Sequence, residues 1–396
     1  MIAILIPEFP SQTHVFFWRE IEALRAQGQP VKIISTRCPV AAACPHEFAT
    51  AAAAETLYLY PPRWITAVAT LAMNPVRALA ALRYCFGLRQ TPWPRRLAKF
   101  GLLPCAADLL QYSRRENIDH IHSHSCGESG HLVALCRILG GPPYSLTLHG
   151  DLPVYGRDHS KKMGRAAFVA TAGPHLIPQV VEQAGVPSER VYSTLMGLDM
   201  TRFRDVNLRA YKPDRLHVVT IARLHRSKGH RHALAAIRTA VDLGLDVNYT
   251  IAGSGPHALE IETEVQQLGL GNRVKFVGSL SELQVLELLQ RADAFVLPSV
   301  GAGEAWPVSL MEAMACGLPV IASVIGSTAS MIENDVDGLL VRQGDETALA
   351  DAFVSLARDP ELRRRLGAAA RLRAESSFNV RDSAQRLITA IKGSRD

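Results

Sequence analysis

Short aliphatic and β-branched runs recur along almost the whole chain, with helical patterns between them. Ile2–Ile6, Val31–Ser35, Ile118–His122, Tyr144–Leu148, Phe168–Thr171 and Val191–Leu195 read as buried parallel strands. Helical patterns such as Thr13–Gln27, closed by Gly28, and Gly130–Leu139, closed by Gly140 and Gly141, lie between them. A polar stretch from Arg204 to Arg215, holding Pro213, reads as an interdomain linker. A second series follows: strands at Leu216–Ile221, Val247–Ala252, Val274–Val277, Ala294–Leu297 and Pro319–Ser323. Its helices run over Lys228–Leu243, Ala258–Leu268, Ser281–Gln290 and Pro307–Ala315. Strands alternating with helices demand parallel sheets with right-handed crossovers, so two doubly wound α/β domains are expected. In such sheets ligands bind beyond the carboxyl ends of the strands. From Asp345 to Lys392 the pattern is helical throughout.

At 396 residues the chain exceeds one ordinary core, which agrees with two domains. A hydrophobic content of 48% with 20% charged residues excludes a disordered chain. The apolar run Met1–Ile6 stops at Pro7 and Glu8, too brief for a signal peptide, and Trp64–Met73 is about half a membrane span. The seven cysteines are odd in number and form no Cys-x-x-Cys pair, which argues against a disulfide framework or structural zinc. A cytoplasmic protein is expected.

The net charge of +6 is unevenly spread. Between Tyr60 and Asn117 nine basic residues face only Asp108 and Glu116, so the rest of the chain is close to neutral. No aromatic-basic RNA motif or zinc finger accompanies the patch, and a nucleic-acid partner is not expected. Trp64, Tyr84, Phe86, Trp93 and Phe100 stand among the arginines, on helices expected at 63–88 and 95–115. Arginine with interfacial aromatics suits peripheral contact with an anionic membrane, at its inner face for a cytoplasmic chain. A solvated basic helical face fits the same pattern.

The densest chemistry lies at Gly303-Glu304-Ala305-Trp306-Pro307-Val308, followed by the helix that carries Glu312. Pro307 suits a first helical turn, and backbone amides at 305–308 form a ready anion site. A carboxylate such as Glu304 accepts two hydroxyl hydrogen bonds, which suits a sugar. Taken alone, it equally fits a capping carboxylate ahead of an ordinary amphipathic helix. Arg223 and Lys228 stand at the carboxyl end of the second domain's first strand, where a diphosphate could take a fork and a point charge. Two solvated basic residues in a loop would look the same. Gly253-Ser254-Gly255-Pro256 follows the next strand and permits close backbone approach, though Gly-x-Gly is a weak signal.

Taken together, Arg-Leu-x-x-x-Lys-Gly at Arg223–Gly229, Gly-Ser-Gly-Pro at 253–256, Val-x-Phe-x-Gly at Val274–Gly278 and Glu-x7-Glu at 304–312 carry a specific likeness. The order and spacing resemble the GT4-type family of retaining glycosyltransferases. Thr147-Leu148-His149-Gly150-Asp151 and Gly197–Phe203 extend it towards the N-terminus. The resemblance implies a GT-B fold, two facing Rossmann-like doubly wound domains with a cleft between them. An acceptor domain over 1–205, a donor domain over 206–375 and a C-terminal helix over 376–396 crossing back to the first domain are expected.

The resemblance also implies a role for each matched position. Arg223 and Lys228 would hold the donor diphosphate, and Glu304 the donor-sugar hydroxyls, with the neighbouring backbone of Ala305, Trp306, Pro307 and Val308 on the phosphate and Gly253 also among the donor-binding positions. Glu312 would bind the ribose, and Val277 and Gly278 would meet the base. His149 would lie beside the donor sugar. The family implies no metal and no cofactor beyond the nucleotide diphosphate sugar, UDP- or GDP-linked, as co-substrate. Pro7–His14 departs from the glycine-rich first loop of many relatives and is similar to the exopolysaccharide and colanic-acid type transferases. Ser11, Thr13, His14 and Asp151 are the acceptor-side candidates, for a saccharide or lipid-linked saccharide. A sugar-nucleotide 2-epimerase and a non-catalytic binding subunit of the same architecture are the alternatives.

Other features carry less. Asp335-Val336-Asp337 spells a metal motif but sits in a turn pattern before a short apolar run. His120, His122 and His124 share one face of a strand end, which fits cleft lining or packing ahead of zinc.

Overall fold

The computed structural model describes every residue except 13, 40–43, 45, 195, 204–210, 302–303 and 395–396. Thr13 and most of the expected linker therefore lie outside the described residues. The chain divides into two compact units: unit 1 holds Met1–Leu195 with Arg381–Asp396, and unit 2 holds Met196–Val380. The sequence pattern put these divisions at 205/206 and 375/376.

Unit 1 opens with β1 (Ile2–Glu8), α1 (Val15–Ala26), β2 (Val31–Arg37), α2 (Ala49–Glu55) and β3 (Thr56–Tyr58). Four helices follow: α3 (Trp64–Met73), α4 (Pro75–Phe86), α5 (Trp93–Phe100) and α6 (Leu102–Arg115). Then come β4 (His120–Ser123), α7 (Glu128–Ile138), β5 (Tyr144–Leu148), α8 (His159–Met163), β6 (Val169–Thr171) and β7 (Val191–Ser193). The strands form one parallel sheet in the order β3-β2-β1-β4-β5-β6-β7. Ile2, Ile4, Leu5 and Ile33 are fully buried in it, as strands covered on both faces must be.

Unit 2 contains β8 (Arg215–Ile221), α9 (His230–Asp242), β9 (Asp246–Ala252), α10 (Ala258–Gln267), β10 (Val274–Gly278) and α11 (Glu282–Arg291). It continues through β11 (Ala294–Leu297), α12 (Val308–Ala315), β12 (Val320–Ser323), α13 (Thr328–Met331) and β13 (Leu339–Val341) to α14 (Glu346–Arg358) and α15 (Pro360–Ser377). Its parallel sheet runs β10-β9-β8-β11-β12-β13. The core joins Val218, Val247 and Val296 of the sheet to Leu234 and Ile237 of α9 and Phe353 of α14. The last helix, α16 (Val380–Gly393), lies in unit 1 from Arg381 onward, where Gln27 Nε2 donates to the Arg381 carbonyl at 2.8 Å.

Both expected helices of the basic segment are broken. Pro75 starts a new helix because its ring and missing N–H forbid continuing the previous one, and Gly101 divides the second. Among the described residues no single helix is long and apolar enough to cross a membrane; α3 and α4 reach the required length and composition only together, bent by 106°. The cysteines of the described residues are free thiols.

Arg363 of α15 is fully buried in unit 2. Its guanidinium donates to the carbonyls of Arg215 at 2.9 Å and Lys212 at 2.8 Å and lies 4.6 Å over the Tyr211 ring. Arg363→Met keeps the volume but strands these acceptors. It is expected to cost about 3 kcal/mol, read as an earlier denaturant midpoint. An unchanged midpoint would mean that water replaces the guanidinium.

Candidate functional site

In unit 2 the chain moves outward from β8 through β9 to β10, then returns to the other side of β8 as β11. Between β8 and β11 the connections diverge, and a crevice at the carboxyl ends of the strands is the expected ligand position. Two loops meet there. Gly229 has φ +68°, and a Cβ on it would stand 1.8 Å from the Pro298 carbonyl, so only glycine lets them close. Val300 N–H donates to the Ser227 carbonyl at 2.8 Å and ties them again.

The closure brings Lys228, after β8, onto Glu304, after β11. Lys228 Nζ donates to Glu304 Oε1. Ser299 Oγ donates to the same oxygen at 2.8 Å. Glu304 is buried, and its carbonyl accepts the Ser327 N–H at 3.4 Å, which anchors its loop to the turn after β12. A buried carboxylate matched by one ammonium and one hydroxyl is a stiff, polar floor.

The other candidates of unit 2 are distributed along the same sheet edge. Arg223 is exposed, with no ion pair among the described residues. The Gly253–Gly255 loop packs directly on the 222–224 backbone: a Cβ on Gly253 would stand 1.9 Å from the Ala222 carbonyl. The backbone these glycines admit is thus the neighbouring loop. Gly253 N–H donates to the Gly278 carbonyl at 2.7 Å, which aligns the ends of β9 and β10 and places Val277 beside them.

The helix after Glu304 starts later than the sequence pattern placed it. Pro307 is extended, with ψ 111°, and α12 begins at Val308. Its unpaired first-turn amides therefore belong to Val308, Ser309 and Leu310, while Ala305 and Trp306 lie in the loop before it. Trp306 is buried, its Nε1 donating to Met311 Sδ at 2.9 Å and its ring edge-on to Phe378. That side chain is packing. Glu312 is buried on α12.

In unit 1 the sheet reverses between β1 and β4, and the acceptor-side candidates follow the carboxyl ends of β1 and β5. The Ser11 carbonyl accepts the His14 N–H at 3.0 Å. Asp151 Oδ1 accepts Gln179 Nε2 at 2.7 Å. His149 shares a hydrogen bond between its Nε2 and His124 Nδ1 at 3.1 Å, and its backbone N–H donates to the Tyr155 hydroxyl at 2.8 Å. Phe16 and Phe17 pack against its ring. Burial pushes His149 and His124 down to about 3 and His14 to about 4, so these imidazoles are neutral at physiological pH.

Sequence reasoning passed over Glu20. Its Oε1 lies 2.9 Å from His124 Nε2, and burial raises its pKa. A glutamate on the inward stripe of α1, next to Phe17 and Ile21, was the available signal. Glu20, His122 and His124 form a group whose ligand atoms lie within 4.8 Å of one another, the spacing a cation would need. His122 already bonds Ser145 Oγ at 2.7 Å and Thr147 Oγ1 at 2.8 Å, and His120 bonds the same serine at 2.8 Å, which accounts for both histidines as packed polar residues. Asp337 is a turn residue, accepting from Glu333 N–H and Arg373 Nε, both at 2.7 Å.

Residues 205–373 match the family of glycosyl transferases group 1. The match spans β8 to α15 and contains the whole Lys228–Glu304 constellation. Unit 2 carries a group 1 glycosyl transferase domain. The chain is similar to WcaL of Escherichia coli (strain K12), named for colanic acid biosynthesis, at 35% identity over 209 residues, 50% of each chain. It is similar to the amylovoran biosynthesis glycosyltransferase AmsK of Erwinia amylovora, at 35% over 199 residues and 49% of each. The chain thus spans about half the length of the curated relatives it matches. Across the whole molecule, HepE of Anabaena, solved with UDP-glucose, aligns with a TM-score of 0.73 and 16% identity, covering 99% of this chain and 100% of that one. That likeness is one of fold: two parallel-sheet α/β domains of the GT-B type.

Proposed function

We propose that this protein is a retaining glycosyltransferase that moves a sugar from a nucleotide diphosphate sugar to a saccharide acceptor during assembly of an exported polysaccharide. The observation that carries this is the meeting of Lys228, Glu304 and Ser299 at the switch point of a group 1 glycosyl transferase domain. Lys228 supplies a positive charge to the departing diphosphate, with Arg223 as an exposed second cation. Glu304 receives sugar hydroxyls, the first-turn amides of α12 receive phosphate, and Glu312 receives the ribose. Val277 and Gly278 border the base. His149, being neutral, donates or accepts a hydrogen bond with a sugar hydroxyl. Ser11, His14 and Asp151 belong to the acceptor side, and no metal or further cofactor takes part.

The names of WcaL and AmsK support the polysaccharide reading; HepE, solved with UDP-glucose, supports a UDP-linked donor, and the GDP alternative rests on the family resemblance alone. A lipid-linked acceptor and peripheral contact with the membrane's inner face through residues 60–117 complete the proposal.

A thermal-shift screen against UDP, GDP, ADP and their sugar conjugates tests it. A ligand at about 100 times its Kd adds roughly 2.7 kcal/mol and raises Tm clearly. The response should be selective for one base, and Glu312→Ala should shrink it. No response from folded protein would overturn the donor site. Donor conversion without acceptor would replace the transferase by an epimerase.

A further inference from the structure

α3 is turned the wrong way for a helix facing water. None of its ten residues is charged, and the ones it buries are Ala67 and Thr70. The Thr70 hydroxyl accepts Gln111 Nε2 at 2.9 Å, so its polar side is the inner one. Trp64, Ile65 and Val68 stand outside, Ile65 at 89% exposure. A helix on a soluble surface turns its apolar stripe inward, and a contiguous exposed apolar face marks a docking surface. α4 buries Ala81, Tyr84 and Cys85 and adds Val76, 81% exposed, and Leu79 to the exposed apolar side chains. Among the described residues, ten of the eighteen exposed large hydrophobic side chains fall between Tyr60 and Leu97.

Charge alone explains this face poorly. Of the nine basic residues of 60–117, Arg63 pairs with Asp108, Lys99 with Glu128 and Arg115 with Glu116. Arg37 and Arg95 have no ion pair among the described residues, and both line a cavity of about 850 Å³. The cavity lies at the carboxyl ends of β2 and β3, between α5, α6 and the start of α7, with Leu59, Leu102 and Leu132 in its walls. Tyr60 belongs both to this cavity and to the exposed apolar face. Its lining also holds the Lys99–Glu128 pair, which neutralises itself. A largely apolar cavity with two unpaired guanidiniums at its lining, continuous with an apolar surface, matches an amphiphile with a phosphate head.

We propose that this face docks on a bilayer and that the cavity takes the phosphate of a long-chain lipid phosphate, held by Arg37 and Arg95, while α3 and α4 enter the acyl layer. The assignment of that lipid as the acceptor's carrier rests on the transferase reading above. The docking deepens the membrane contact proposed above and does not depend on the sugar transfer.

The full chain is sedimented with vesicles of phosphatidylcholine alone, or mixed with phosphatidylserine or with phosphatidic acid. The expected order places phosphatidic acid first, because its phosphomonoester reaches the guanidiniums. Ile65→Asp/Val76→Asp should lower binding to every vesicle by about tenfold or more. Arg37→Ala/Arg95→Ala should erase the preference for phosphatidic acid and keep the remaining binding. All four side chains project from exposed or cavity-lining positions, so melting curves should match wild type. Wild-type protein that ignores every vesicle, or an Asp variant that sediments normally, overturns the docking surface. An arginine variant that keeps the preference overturns the phosphate pocket, whereas full displacement by millimolar inorganic phosphate overturns the lipid as its source, because the pocket then takes the free ion. Nucleotide thermal shifts are read on the same preparations. A chain that answers to a nucleotide and not to vesicles loses this inference and the membrane contact proposed above, and keeps the sugar transfer; the reverse result removes only the transferase reading.

Discussion

Lys228→Met is expected to lower kcat by about 10²–10³-fold, the loss typical of one preorganised charge at a developing anion. Burial complicates the measurement. Glu304 is buried, and among the described residues both hydrogen bonds to its carboxylate, from Lys228 and Ser299, fall on Oε1. Removing one member of a buried pair leaves a charge uncompensated, at about 3–5 kcal/mol. The single variant therefore mixes lost folding with lost chemistry. Lys228→Met/Glu304→Gln removes both charges, and the amide oxygen still accepts from Ser299. Denaturation of the double variant should recover most of the stability, while single-turnover rates recover nothing. Full turnover in either variant would remove Lys228 from the phosphate role.

Gly229→Ala should act on the same site without touching a functional group. The residue has φ +68°, and its new Cβ would meet the Pro298 carbonyl at 1.8 Å. Backbone must move, and it moves between Lys228 and the strand that leads to Glu304. The expected loss is about 2–4 kcal/mol, with activity falling further than stability explains. Gly244→Ala separates the two causes. Its φ is +85°, yet nothing lies within 4 Å of the added methyl, so only backbone strain of about 1–2 kcal/mol remains. Equal destabilisation by the two would show that the loops at the switch point part easily.

The sheets were legible because fully buried parallel strands write themselves as aliphatic runs. Tyr144–Leu148 and Ala294–Leu297 occupy the predicted residues in the structure. β3 escaped notice because three residues, Thr56–Tyr58, at the end of an alanine-rich helix make no run. The break at Pro75 was written in the sequence and outweighed by the continuous apolar pattern around it. Site residues whose partners come from a neighbouring strand were partly legible. Lys228 and Glu304 stood out by motif, yet their contact depends on a loop closure that only Gly229 and Pro298 specify together. Glu20 offered only its place on the inward stripe of α1, since its meaning comes from His124, which follows β4. The Trp306 side chain is core, with Met311 and Phe378 against it, which the loop sequence alone does not announce.

The assignment of Arg381–Asp396 to unit 1 has a bearing on biosynthesis. Ala384, Leu387 and Ile391 are buried there, so unit 1 lacks part of its core until they are made. They follow all of unit 2 in translation. Unit 2 can fold on the ribosome while unit 1, begun first, waits with an uncovered apolar surface. Nascent unit 1 is then the half exposed longest to chaperones and to aggregation.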